Sequence, residues 1–290
     1  MTSTAYPDGV AAPSTRAAHT HPGHGVTFGG TLRSEWIKLR SLRSTAWCYG
    51  LILVLTVLFG LLLAVTFSNP VNLSDEMSQT FALQVSTLSI GFSQLVACVL
   101  GVLVISGEYG TGMIRSTFTA VPKRTPALLA KGLVFGGLTF VVALISIALT
   151  AVVTAPLSEN SGIVTDFADP AFIAALAGGA VYLALIGVMS LAIGAIVRSS
   201  AGGIAAAVGL VLVLPTVIQI FAALTEATWA QNLLVFLPSN AGGMLYAYEP
   251  TAAVVDGIVA LDALQGGLVL AGWVVVLFAA AIVLVKRRDV

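Results

Sequence analysis

WAQNLLVFLPSNAGGMLYAY, residues 229–248, is the stretch on which the fold turns. It is apolar enough for a membrane crossing, yet Pro238, Asn240 and the pair Gly242–Gly243 interrupt it. Broken backbone at membrane depth has to be buried in protein or line a water-filled cavity, because lipid offers no hydrogen-bond partner. Whether this stretch crosses decides between six spans and seven. It therefore also decides on which side of the membrane the rest of the chain lies.

The flanking sequence supplies the answer. A helix needs about 20 mostly apolar residues to cross the hydrocarbon core. Six stretches reach that length without an internal ionisable group: 46–67, 81–106, 133–156, 172–197, 202–224 and 267–285. The composition agrees, since 58% of the 290 residues are hydrophobic, 9% are charged and the mean hydropathy is +1.00. A soluble domain carries about 25% charged residues, and even a large one needs a polar surface. Disorder, collagen-like repeats and disulfide scaffolds are excluded on the same numbers. The chain reads as an all-α membrane protein.

Charge then orders the loops. Lys and Arg accumulate in short cytoplasmic loops. All 13 basic residues fall in alternate segments: Arg16, Arg33, Lys38, Arg40 and Arg43 before span 1; Arg115, Lys123, Arg124 and Lys131 between spans 2 and 3; Arg198 between spans 4 and 5; Lys286, Arg287 and Arg288 after span 6. The three remaining loops hold nine acidic residues and no basic one. The net charge of zero is thus a cancellation between two oppositely charged sides. Both termini are expected to be cytoplasmic, in a multi-pass protein of the cell membrane with six transmembrane helices. A seventh crossing at 229–248 would put Lys286–Arg288 outside, so this stretch is read as a re-entrant or interfacial hairpin on the outer side. The alternative is a loop lying on the outer headgroups.

Residues 1–30, with Pro7, Pro13 and Pro22 and few large apolar side chains, read as a disordered cytoplasmic tail. They lack the early apolar run and small-residue cleavage site of a signal peptide. Residues 31–45 follow as an interfacial helix, with Leu32, Trp36 and Leu39 at i, i+4 and i+7 and cations on other faces. A simple basic anchor beside the membrane is the competing reading. The six-span domain occupies 46–288.

The longest cytoplasmic connection is SGEYGTGMIRSTFTAVPKRTPALLAKG, 106–132. Gly110 and Gly112 end span 2, Thr111 is placed to cap a short helix, and Pro122 ends it. Met113, Ile114 and Phe118 form an apolar patch with basic flanks, suited to docking in the groove of a soluble partner. The patch packing on the protein's own helix ends is the alternative. Inside the spans, Gln84, Thr87, Gly91, Gln94 and Cys98 share one face of span 2, and Pro215 and Gln219 lie one turn apart in span 5. Buried amides need partners in lipid, so this face either lines an aqueous path or glues helices together.

Absences narrow the chemistry. With no ionisable residue inside the apolar stretches, proton coupling has no relay. His19, His21 and His24 all lie in the tail, so no intramembrane Ser–His pair or His metal cluster can form. There is no G-x-x-x-x-G-K-[ST] run, so this chain is not itself a P-loop ATPase. Cys48 and Cys98 have neither metal nor disulfide spacing.

These pieces resemble the permease subunit of bacterial ABC-2 type ABC transporters. The likeness rests on SEWIKLRSLRS before span 1, GEYGTGMIRSTFTAVPKR with Lys131, the broken LPSNAGG and the KRR tail, and covers about residues 31–288. It implies an exporter subunit that is not an enzyme and binds no cofactor, with ATP and Mg on a separate ABC ATPase subunit. A second permease chain, as a homodimer, completes the pathway in membrane lipid, and no nucleic acid is involved. The loop 107–132 becomes a coupling helix, with Glu108 and Arg115 as ionic contacts and Thr111, Met113, Ile114 and Phe118 in the docking surface. Gln84, Thr87, Gln94 and Gln219 become the pathway lining, because spans 2 and 5 line it in this family. A self-sufficient secondary transporter or channel, or a membrane anchor in cell-envelope assembly, are the competing classes.

Overall fold

The computed structural model describes residues 27–66, 74–113, 124–159, 162–248 and 257–287. No strand occurs among them, and six helices are long and apolar enough to cross a membrane. Helix α1 (Phe28–Ser41) leads directly into α2 (Arg43–Thr66). The second long helix is made of two pieces, α3 (Asp75–Thr87) and α4 (Ile90–Thr111), meeting at the turn Leu88–Ser89. Then come α5 (Arg124–Glu159) and α6 (Pro170–Val197). The fifth is α7 (Ser200–Val208), a π-helical turn at Gly209–Val213, and α8 (Leu214–Thr225). Two short helices, α9 (Thr228–Val235) and α10 (Pro238–Gly243), and a 3-10 turn at Met244–Tyr246 precede the sixth, α11 (Ala263–Arg287).

These six helices match the apolar stretches, but several run past them. The second continues to Thr111 and the third begins at Arg124, so Glu108 and Lys131 lie in helix and not in the loop. Polar residues extend a helix this way when they find partners in the bundle. At the other end of the second helix, Gln79 Nε2 donates to the Asp166 carbonyl at 3.1 Å.

Helix α6 is the centre of the bundle. It is apolar all round, as a helix enclosed by others should be, and its most apolar window is 72% buried against 17% for the fifth long helix. It packs on α4, α5 and α11. At the α4 contact a Cβ on Gly101 would stand 2.3 Å from the Gly187 carbonyl oxygen, so only glycine lets the two backbones touch. Hydroxyl pairs join other helices: Tyr49 with Thr139 at 2.8 Å, Ser106 with Ser200 at 2.8 Å, and Thr56 with Ser93 at 3.3 Å. In lipid such bonds average about 0.6 kcal/mol each.

The fifth helix touches the bundle along Gly203, Ala207, Val211 and Pro215, a buried seam with a four-residue repeat. Pro215 has no N–H, and its ring would strike the carbonyl four residues back. The π turn immediately before it widens the backbone and relieves that clash.

The interrupted stretch packs on α6 and α11. Pro238 starts α10, a position proline favours. Trp273 Nε1 donates to the Phe236 carbonyl at 2.9 Å, and the Tyr182 and Tyr246 rings are 5.4 Å apart. At about 1.5 Å per residue, these contacts lie roughly 15 Å along α11 and roughly 18 Å along α6 from their first residues. A Cβ on Gly178 would meet the Leu245 carbonyl oxygen at 1.8 Å, so glycine is required there too.

Candidate functional site

Two constellations stand out, one at the α1 end of the bundle and one toward the other. The first begins with α1. Thr27 caps it by accepting from the Gly30 N–H at 3.2 Å. Its buried residues are Thr31, Glu35 and Leu39, while Leu32 is half-buried and Trp36 and Ile37 are exposed. Of the Leu32–Trp36–Leu39 stripe, Leu39 packs inward while Trp36 stays outside. Glu35 turns inward with it, because cations wait there.

Lys131 of α5 reaches Glu35 at 2.5 Å and Glu108 of α4 at 2.9 Å. Lys38 reaches the same two carboxylates at 2.7 Å and 3.1 Å. Glu35, Glu108 and Lys131 are each at most 4% exposed, so the cluster is desolvated and its formal charge is zero. Glu108 Oε1 accepts from both lysines, whereas its Oε2 is buried with no hydrogen-bond partner. Burial works to lower the Lys38 pKa, but the hydrogen bond to Glu35 and the charges of Glu108 and Glu35 outweigh it and hold the ammonium above its ordinary range. One knot of charge thus joins three helices. Glu108, expected as an ionic contact in the docking surface, faces into the protein here.

The loop leaves directly from this knot. Gly112, at φ +73°, takes the left-handed conformation and ends α4. Thr111 is still helical, and its hydroxyl donates back to the Gly107 carbonyl at 2.9 Å. The short helix that Thr111 is expected to cap lies beyond Met113, outside the described residues. Met113 is exposed; Ile114, Arg115 and Phe118 lie outside the described residues. Beside this exit the Arg198 guanidinium lies over the Tyr109 ring, 5.2 Å from its centroid, tying the end of α6 to the end of α4.

The second constellation is a cavity of about 400 Å³ at the Leu88–Ser89 break. Leu63 of α2, Phe81, Gln84, Thr87, Leu88 and Gly91 around the break, and Tyr246 from the interrupted stretch line it, and none carries a charge. Gln84 is exposed, and the Thr87 hydroxyl is held by the Leu83 carbonyl at 2.7 Å. Of the four residues expected along a pathway, the structure brings Gln84 and Thr87 together here. Gln94 is buried and accepts a hydrogen bond from the Tyr182 hydroxyl, and Gln219 sits on the exposed side of α8.

Sequence reasoning missed the knot, although its signal was present: Glu35 is the one acid among the cations of residues 31–44. It also missed Tyr246, for which an aromatic residue after a glycine pair is no signal. Among the described residues no group of three His, Cys, Asp or Glu side chains is placed to hold a metal ion. No model of a known protein family matches the chain, and no curated protein sequence matches it significantly.

Proposed function

We propose that the chain is the membrane-spanning permease subunit of an ABC-2 type ABC transporter, an exporter that works with a separate ABC ATPase subunit and a second permease chain. The observation that carries this reading is the buried knot of Glu35, Lys38, Glu108 and Lys131 at the root of the loop 107–132. A partner pressing on that loop moves the inner ends of α1, α4 and α5 as one body. ATP binding by the partner then favours one access state and hydrolysis resets it, a shift of populations. In this reading both termini are cytoplasmic, α1 lies in the inner interface with Trp36 and Ile37 toward lipid, and 229–248 is a re-entrant segment entering from outside. The contacts of Phe236 and Tyr246 far along α11 and α6 support such a descent. The uncharged cavity at the helix break suits a neutral or amphiphilic solute passing toward the outer side.

Co-expression with the ATPase encoded beside its gene, purification through a tag on this chain, and ATPase assay in proteoliposomes test the reading. A complex with ATP-dependent transport is expected. Transport that survives with no ATPase present would point to a secondary transporter or channel. Phe118→Asp is expected to leave insertion intact and weaken the complex by about 2 kcal/mol, as loss of an apolar anchor does. An unchanged yield of complex would remove the loop from the docking surface.

A further inference from the structure

Between α5, α6 and α11 runs a groove of about 530 Å³ whose lining residues are all apolar. Its lining extends from Leu129 to Gly137 on α5 and from Val274 to Ile282 on α11, about 12 Å of each helix at about 1.5 Å per residue. Half-buried Val188 of α6 lies at its floor, and Leu133 and Val275, 61% and 65% exposed, stand at its rims. Phe278 bears on Gly132, where a Cβ would be 2.9 Å from its ring. Beside Gly137 there is open space: a Cβ added there meets nothing within 4 Å.

We propose that this groove is a binding site for one acyl chain of an anionic phospholipid, whose phosphate sits against Lys286 and Arg287. The leaflet, the cytoplasmic one, rests on the sidedness argued above. Size, length and charge each point to this occupant. At roughly 30 Å³ for a water-sized group, 530 Å³ is room for about eighteen methylene-sized groups, the content of one chain. The lined length approaches one leaflet's share, about 15 Å, of a hydrocarbon core about 30 Å thick. Lys286 and Arg287 are exposed in the last turn of α11, about 7 Å along the axis beyond Ile282. That is the depth at which a chain in the groove would present its phosphate, and basic side chains there attract anionic headgroups. A neighbouring helix fits less well. Helices approach each other across small residues, and here the exposed Leu133 and Val275 stand beside the exposed Gly137 and Ala279 and interrupt any small, flat surface.

The test uses the full chain alone, in detergent, after exchange with vesicles of equal phosphatidylglycerol and phosphatidylcholine with identical chains. Lipid retained per chain is counted by native mass spectrometry. Wild type is expected to retain phosphatidylglycerol about tenfold over phosphatidylcholine. Gly137→Leu, which fills the open space, is expected to lose that lipid about tenfold. Lys286→Gln with Arg287→Gln is expected to keep a lipid but lose the preference. Val275→Trp fills the same groove from the opposite wall and decides the matter if the leucine variant melts early. Equal retention by wild type and both filled variants overturns the site, as does absence of any headgroup preference in wild type. If the filled variants keep their lipid but break a two-copy complex, a helix occupies the groove and the proposal fails. The assay contains no ATPase, so a lipid retained by a chain that recruits none upholds this site while the permease reading falls.

Discussion

Lys131→Met is the most informative single substitution at the charge knot. It leaves the Glu35 and Glu108 carboxylates buried with only half-exposed Lys38 between them. Breaking a buried ion pair from one side costs about 3–5 kcal/mol, because the other charge stays desolvated. A marked fall in melting temperature in detergent is expected, partly recovered by adding Glu108→Gln; melting at the wild-type temperature would show the knot to be hydrated. The pH dependence carries a sign. The Lys38 pKa is raised on folding, so its contribution is complete below the ordinary lysine range and is lost only as pH climbs through the raised value. Melting followed from neutral to strongly alkaline pH should show no loss from this group until that alkaline range. Gln94 and Gln84 separate two roles of an intramembrane amide. Gln94→Leu strands the buried Tyr182 hydroxyl and should cost about 1–3 kcal/mol. Gln84→Leu, at the cavity wall, should alter transport and leave melting unchanged.

Among the elements, the interrupted stretch shows where sequence is legible and where it stops. Its break was readable, because Pro238, Asn240 and the glycine pair fall together within a few residues, and charge parity kept it from counting as a crossing. Its packing partners were not readable, since the seat depends on Gly178 and Gly266 accepting backbone from elsewhere in the chain, and glycine is common in membrane helices for many reasons. Gly178→Ala is therefore expected to cost about 1–3 kcal/mol and loosen the stretch. Faster proteolysis at residues 244–248 with an intact bundle is the readout, and unchanged cleavage would place the stretch elsewhere. The split second helix was likewise hidden: Leu88 and Ser89 keep helical dihedrals at the turn, so no glycine or proline marks it in the sequence. At α1 the apolar periodicity did not reveal that the helix also carries an inward face of Thr31, Glu35 and Leu39, because a lone carboxylate gives no sign in the sequence of the lysine it will meet 96 residues on.

For the whole molecule, burial is uneven in a way that bears on assembly. The fifth long helix is the least covered, with Val217, Ile220 and Leu224 all more than half exposed. If two copies form the pathway across this face, Val217→Cys in a Cys48→Ser background should give a disulfide-linked dimer in membranes. Val54→Cys on the first span should not; the reverse pattern would move the contact to α2. The charge knot, finally, sets an order on synthesis. Glu35 and Lys38 emerge together and neutralise each other at i,i+3 spacing, ahead of the first long helix. Glu108 follows with Lys38 already made, and its more deeply buried second partner, Lys131, comes 23 residues later. Domains tend to fold from the N-terminus as they are made, and here the charges carried by the first two long helices and α1 are fully matched only once the third long helix has been made.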